Sequence, residues 1–366
     1  MKNTLKKSSL ILILVFFAAG LLIGKTADHY LVLNPISNNI QNPNENIDYK
    51  NNINELIHIK KQSDIVTKRD ALINYIWKDK GFPTYKPTQT DVNILDQDFS
   101  DMKNLKQIDK INISMEHGVN SIAYLFHPTS TNNKLVIYHQ GHDGGFLNGK
   151  KPIQFFLENH YSVLAFSMPL VGMNSQPIVE LENEGKIRLT SHNHFSYLDS
   201  DTFSSLKYFV EPIAVSLNYL DENYAFDTYY MVGISGGGWT TTLYSALDQR
   251  ITQSYSVAGS LPLYLRYSAS DMGDYEQILP DLYKITNYLD LYVLDAYGTD
   301  RRHVQIFNKY DPCCFANPNF ETYENEIKST LSKTGGGNFA IYLDDTHKEH
   351  KISDHALKII LDHIKE

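Results

Sequence analysis

The strongest constraint on how this chain folds is a series of short apolar runs from residue 134 onward: KLVIYH, YSVLAFSM, YYMVGIS, SYSVAG, HVQIFN and FAIYL. Each is nearly continuous in apolar residues instead of alternating, which is the pattern of strands buried on both faces. Most are separated by segments long enough for a helix, as parallel strands require. Just upstream, KINISMEH and SIAYLFHPT are joined through Gly118, Val119 and Asn120, and their alternation predicts an antiparallel hairpin. The expected fold class is α/β, a mostly parallel sheet covered by helices on both faces with a β-hairpin at its start. No internal repeat is visible.

The 366 residues suffice for one large domain or two ordinary ones, and 42% hydrophobic with 20% charged residues describes a globular protein. A net charge of -9 argues against a nucleic-acid partner. Cys313 and Cys314 are adjacent, which gives neither a disulfide framework nor spaced metal ligands, so they read as packed thiols.

Lys2, Lys6 and Lys7 precede LILILVFFAAGLLI, from Leu10 to Ile23, in the order of a secretory n-region and h-region. Residues 1–25 therefore read as a signal peptide or signal anchor, and the protein as exported, either secreted or periplasmic or held to the membrane by its N-terminus. Lys25 two positions before Ala27 makes a poor cleavage site, which favours a retained anchor. The following LNPISNNIQNPNENIDYKNNIN is rich in asparagine, so residues 26–62 read as a flexible tether. The folded domain is expected over 63–366, opening with a helix on which Ile65, Leu72, Ile73 and Ile76 recur at helical spacing.

Gly233, Ile234, Ser235, Gly236 and Gly237 spell GxSxG between an apolar strand and a helical pattern carrying Leu243, Ala246 and Leu247. In so sharp a strand-to-helix turn a serine hydroxyl is held pointing away from the sheet, and small residues two before and two after are needed to avoid collision. The unpaired N–H of Gly236, at the positive end of the helix, is a candidate oxyanion donor.

Over residues 105–366 the chain resembles the α/β-hydrolase superfamily of serine esterases and lipases: an early hairpin, the strand KLVIYH with the loop QGHDGG, the strand YSVLAFSM, the elbow GISGG, then HVQIFN and FAIYL. The resemblance implies a nucleophile, acid and base in the order Ser, acid, His. Asp311, after HVQIFN, is the acid it points to, with Asp300 as a competitor that precedes the strand. His350, just before the final helix and its candidate N-cap Ser353, is the base, with His347 not excluded and His355 placed on the helix. The loop after KLVIYH is similar to the HGGG-type loops of esterases, interrupted by Gln140, His142 and Asp143, and the backbone N–H of Gln140 or His142 is the expected second oxyanion donor.

The same resemblance implies a helical cap over the cleft, expected at about 260–300, in which Tyr264, Tyr267 and Tyr275 are candidates for the substrate pocket. Leu282, Ile285, Leu289, Tyr292 and Val293 read instead as a packing face. His192 and His194, near Asp199 and Asp201, invite a metal, but an HxH pair in a polar stretch reads as solvent-facing, and no metal and no cofactor is expected. The expected function is an exported serine hydrolase cleaving a carboxylic ester, of a small molecule or a lipid, through a Ser235, His350 and Asp311 triad. A serine peptidase or thioesterase on the same residues, and a non-catalytic binding protein on the same scaffold, are the alternatives.

Overall fold

The computed structural model describes residues 52–182, 185–316 and 319–366, all within one compact unit. The expected signal segment, and the tether up to residue 51, lie outside the described residues. The strands are β1 (Gln89–Asp91), β2 (Leu105–Ser114), β3 (Asn120–Pro128), β4 (Lys134–His139), β5 (Ser162–Phe166), β6 (Ile178–Leu181), β7 (Gly185–Arg188), β8 (Thr228–Ile234), β9 (Ile251–Val257), β10 (Arg302–Asn308) and β11 (Asn338–Asp344). The principal helices are α1 (Gln62–Trp77), α2 (Lys150–Glu158), α3 (Lys207–Asn223), α4 (Gly236–Leu247), α5 (Tyr288–Ala296), α6 (Glu324–Thr334) and α7 (Asp354–Lys365).

One nine-stranded sheet runs in the order β1-β2-β3-β5-β4-β8-β9-β10-β11. β1, β2, β3 and β5 pair antiparallel in succession, with Ser114 opposite Asn120 beside the Gly118 turn. Along this sheet from β5 through β4, β8, β9 and β10 to β11 every pairing is parallel, and β6 and β7 form a separate antiparallel pair. Successive residues of a central strand serve opposite cores: Tyr229 and Met231 of β8 join the cluster packed by α1, α3, α4, α5 and α6, while Tyr230, Val232 and Ile234 join that packed by α2 and α7. Burial on both faces is why these strands lack polar alternation. The fold is the α/β-hydrolase fold.

The domain starts earlier than Ser63. Ile53–Leu56 form a turn of helix, Ile57 and Ile59 are fully buried, and the backbone N–H groups of His58 and Ile59 donate to Asp290 Oδ1 at 2.7 and 3.1 Å. The asparagine-rich composition hides these isoleucines, whose burial offsets the cost of ordering the segment. The cap is also shorter than expected. Short helical turns over Leu263–Leu265, Ala269–Met272, Tyr275–Gln277 and Pro280–Ile285 overlie the strand ends, but α5 is a fully buried helix against α4 and belongs to the main layer. Among the described residues no helix is long and apolar enough to cross a membrane.

Candidate active site

Ser235 links β8 to α4 with φ 55° and ψ -128°, a conformation costly for a residue with a side chain and persistent only where the surroundings impose it. They do so here. A Cβ on Gly233 would lie 2.1 Å from the Gly237 carbonyl oxygen, and one on Gly237 would lie 2.1 Å from the His139 carbonyl oxygen. The Ser235 N–H donates to the Val257 carbonyl at 2.9 Å, which pins the bend to the neighbouring strand. The serine itself is half-buried and faces a cleft of about 450 Å³, lined by His142, Asp143, Ala258, Gln277, Phe315 and His350 among others.

Asp311 follows β10 and is buried. Its Oδ2 accepts from His350 Nδ1 at 2.7 Å and from Asn308 Nδ2 at 3.2 Å, and its Oδ1 accepts the N–H groups of Cys313 and Cys314 at 2.8 and 3.3 Å. Burial acts to raise its pKa, but His350, the Cys313 N–H and Asn308 outweigh it and hold the carboxyl below the ordinary aspartate value. It is therefore ionised at neutral pH. Asp300 is exposed in the loop before β10.

His350 has Nδ1 bound to Asp311, while its Nε2 is buried with no hydrogen-bond partner, Ser235 Oγ included, and its ring lines the same cleft as the serine. Serine and imidazole are thus brought to one cavity with no hydrogen bond between them. His347 belongs elsewhere: its Nε2 lies 3.4 Å from Asp344 Oδ2 and its Nδ1 accepts the Glu349 N–H. Ser353 caps α7, its Oγ accepting the Ala356 N–H at 3.0 Å, and His355 is exposed on that helix.

Of the two expected loop donors, Gln140 is ruled out. Its N–H donates to the Phe166 carbonyl at 3.0 Å, continuing the β4–β5 ladder, and its side chain braces Tyr138 and Asp143. The His142 N–H takes part in none of the backbone hydrogen bonds of the loop. Gly236 opens α4, so its N–H has no acceptor within the helix. Gly141 presses this loop onto the nucleophile turn, since a Cβ there would lie 2.7 Å from Ser235 Cβ. The His142 ring occupies the space a Gly236 side chain would need.

The expected pocket tyrosines do not line the cleft. Tyr264 is buried with its hydroxyl 3.0 Å from Thr322 Oγ1, Tyr267 is 77% exposed, and Tyr275 donates to Asp199. The Tyr264 and Tyr275 rings serve the packing of the cap while Tyr267 faces solvent, and the cleft wall comes from Gly273, Asp274 and Gln277 on one side and Cys313, Cys314 and Phe315 on the other. The backbone of residues 313–315 went unrecognised in the sequence. An aspartate whose carboxylate receives the N–H two residues on is an Asx turn, and NKYDPCCF carries that signal.

His192, His194, Asp199 and Asp201, read from the sequence as a solvent-facing stretch and not as a metal set, do not converge. His194 Nδ1 accepts the Thr190 N–H, Asp199 accepts the Ser205 N–H, and Asp201 is exposed. His192, however, is buried and faces Glu276, with Nδ1 3.0 Å from Glu276 Oε2. Glu276 is fully buried in the cap, and His142 Nε2 lies 2.9 Å from its Oε1 and 2.9 Å from Asp274 Oδ2. Burial acts to raise the Glu276 pKa, but His192 and His142 outweigh it and hold the carboxyl far below its ordinary range.

No model of a protein family matches this sequence, and no curated protein matches it. Solved structures do. The acetyl xylan esterase from Paenibacillus sp. R4 is similar with a TM-score of 0.55 at 14% identity, over 86% of this chain and 98% of that one. Acetyl xylan esterase 1 from Thermoanaerobacterium sp. JW/SL YS485 gives a TM-score of 0.52 at 13% identity, over 85% and 96%. Methylesterase BT1017 gives 0.52 at 13%, over 85% of this chain and 65% of that one. With a parallel sheet from β5 to β11, helices on both faces and a strained serine between β8 and α4, the chain has the fold of the α/β-hydrolase superfamily.

Proposed function

We propose that the protein is a serine hydrolase that cleaves a carboxylic ester through an acyl-enzyme. The observation that carries this reading is the pairing of a strained Ser235 with an imidazole whose Nδ1 is held by buried Asp311 and whose Nε2 has no partner in the same cleft. Ser235 Oγ attacks the ester carbonyl while His350 Nε2 takes its proton. The carbonyl oxygen becomes an oxyanion that accepts from the N–H groups of Gly236 and His142. Collapse expels the alcohol, which receives the proton from His350, and a water activated by the same imidazole then hydrolyses the acyl group from Ser235. Asp311 keeps the proton on Nδ1 and stabilises the imidazolium.

The cleft favours short acyl chains and polar alcohols, since its wall carries Asp143, Asp274 and Gln277 beside the small Ala258 and Gly273. The acetyl xylan esterases that share the fold accord with such substrates. Export, with the N-terminal apolar segment as signal or membrane anchor, is part of this proposal and rests on the sequence from Lys2 to Ile23. The test is a series of p-nitrophenyl esters from acetate to decanoate. Turnover greatest at the short end and lost in Ser235→Ala supports the reading. Equal rates in the two proteins contradict it.

A further inference from the structure

We propose that His142, His192, Asp274 and Glu276 form a binding site for one divalent cation of the zinc class. One ligand atom from each, His142 Nε2, His192 Nδ1 and a carboxylate oxygen of Asp274 and of Glu276, all lie within 4.8 Å of one another.

Two features of the geometry point to an ion. His142 Nε2 stands 2.9 Å from Glu276 Oε1 and 2.9 Å from Asp274 Oδ2. A ring nitrogen carries at most one proton, which makes a straight hydrogen bond to only one of two such oxygens. A cation between the three atoms is bonded by all of them. Independently, His192 Nε2 is 3.0 Å from the Pro169 carbonyl oxygen, which can only accept. That carbonyl accepts from Nε2, so the ring turns its other nitrogen, Nδ1, to Glu276 Oε2 at 3.0 Å. A ring N–H donated to a backbone carbonyl is also how metal-bound histidines are commonly oriented.

The chemistry selects the class. Two imidazole nitrogens and two carboxylates suit zinc, whereas magnesium and calcium prefer oxygen alone and more ligands. With metal bonds of ~2.0–2.1 Å, tetrahedral ligand atoms stand roughly 3.3 Å apart, so the contacts of 2.9–3.0 Å open by tenths of an ångström and no separation has to close by more than about 1.5 Å. Two imidazoles ligating through their lone pairs and two carboxylates leave no net charge once a dication is bound, which suits the burial of Glu276 and His192. Phe195 and Phe209 enclose the His192 ring, while the exposed side of Asp274 gives the ion access. The ion would join three loops that no strand pairing connects: that after β4, that after β7, and the cap.

The experiment is zinc content and affinity, measured on chelator-stripped, reloaded protein carrying Cys313→Ser and Cys314→Ser, which removes the thiols of the other potential ligand group at Asp311 and His350. One zinc per chain is expected, bound at least on the order of 100-fold more weakly in Glu276→Gln and His192→Gln, and roughly tenfold more weakly in Asp274→Asn. Magnesium should not compete. Cobalt in place of zinc should give the visible absorption of a four-coordinate nitrogen and oxygen site, a readout that stands even where a variant at Glu276 fails to fold. No stoichiometric zinc at micromolar free metal, or equal affinity in the parent and the well-folded Asp274→Asn and His192→Gln proteins, overturns the proposal. Metal binding is read without turnover and applies equally to Ser235→Ala protein, so failure here leaves the hydrolase reading intact, and the reverse.

Discussion

Ser235, Asp311 and His350 follow the carboxyl ends of β8, β10 and β11, whereas His142, His192, Asp274 and Glu276 meet from loops and the cap, where His142 and Asp274 line the same cleft as Ser235 and His350. The first set stands on strands whose parallel register places their ends side by side, and sheet and helix packing impose the strained turn of Ser235. The second is held mainly by its own side chains, with one buried carboxylate, Glu276, as their meeting point. A group carried by the sheet keeps its position when a neighbouring side chain is lost. A group held by a loop cluster keeps it only while the cluster is intact.

That contrast can be broken by substitution. Ser235→Ala should lower ester turnover by roughly 10⁶-fold with circular dichroism and melting temperature unchanged, and Asp311→Asn by roughly 10⁴-fold, as for other triads. Loss of folding in either would mean that the sheet does not hold the site independently. Gly237→Ala tests the scaffold: its methyl group has no room beside the His139 carbonyl, so soluble yield and melting temperature should fall together with turnover. Glu276→Gln should give a different signature, a turnover loss of roughly 10- to 100-fold through misplacement of the His142 N–H, with faster proteolysis of the cap as the structural readout.

A third region, remote from both, supplies a pH control. Burial acts to raise the pKa of Asp109, but His127 Nε2, the Asn93 N–H, Gln107 and Tyr224 outweigh it and lower it to about 2. Because this folded-state value lies below that of the unfolded chain, the contribution to stability is complete above about pH 4 and is lost as pH falls toward 2. Denaturation midpoints should show wild type exceeding Asp109→Asn at neutral pH by ~2 kcal/mol, with the two converging in acid. Smallest of all, Cys313→Ser should change turnover by no more than about twofold, because Cys313 serves Asp311 through its backbone N–H.

The same contrast explains what the sequence disclosed. Continuous apolar runs and the glycines around Ser235 are local consequences of burial and steric demand, so the parallel strands, the elbow and the helix cap at Ser353 were all legible. The order of the chain pointed to Asp311 and His350. Nothing local marks Glu276 in GDYEQIL as the partner of His142 and His192, since that meeting depends on where three loops pack. Tyr264, Tyr267 and Tyr275 misled for the same reason: an aromatic beside a cleft, one in a cap interior and one facing solvent have the same local pattern. The early isoleucines at 53, 57 and 59 were masked by asparagine-rich neighbours, and only their contacts with the main layer show them to be core.

The most direct test of the account is the site of covalent labelling by a fluorophosphonate, read by intact mass and peptide mapping. One phosphonyl group per chain, on the peptide containing Ser235 and absent after Ser235→Ala or His350→Ala, is the expected result. An unlabelled wild-type chain, or one labelled on another residue and equally so in the Ser235→Ala protein, would contradict the claim that this serine is the activated nucleophile.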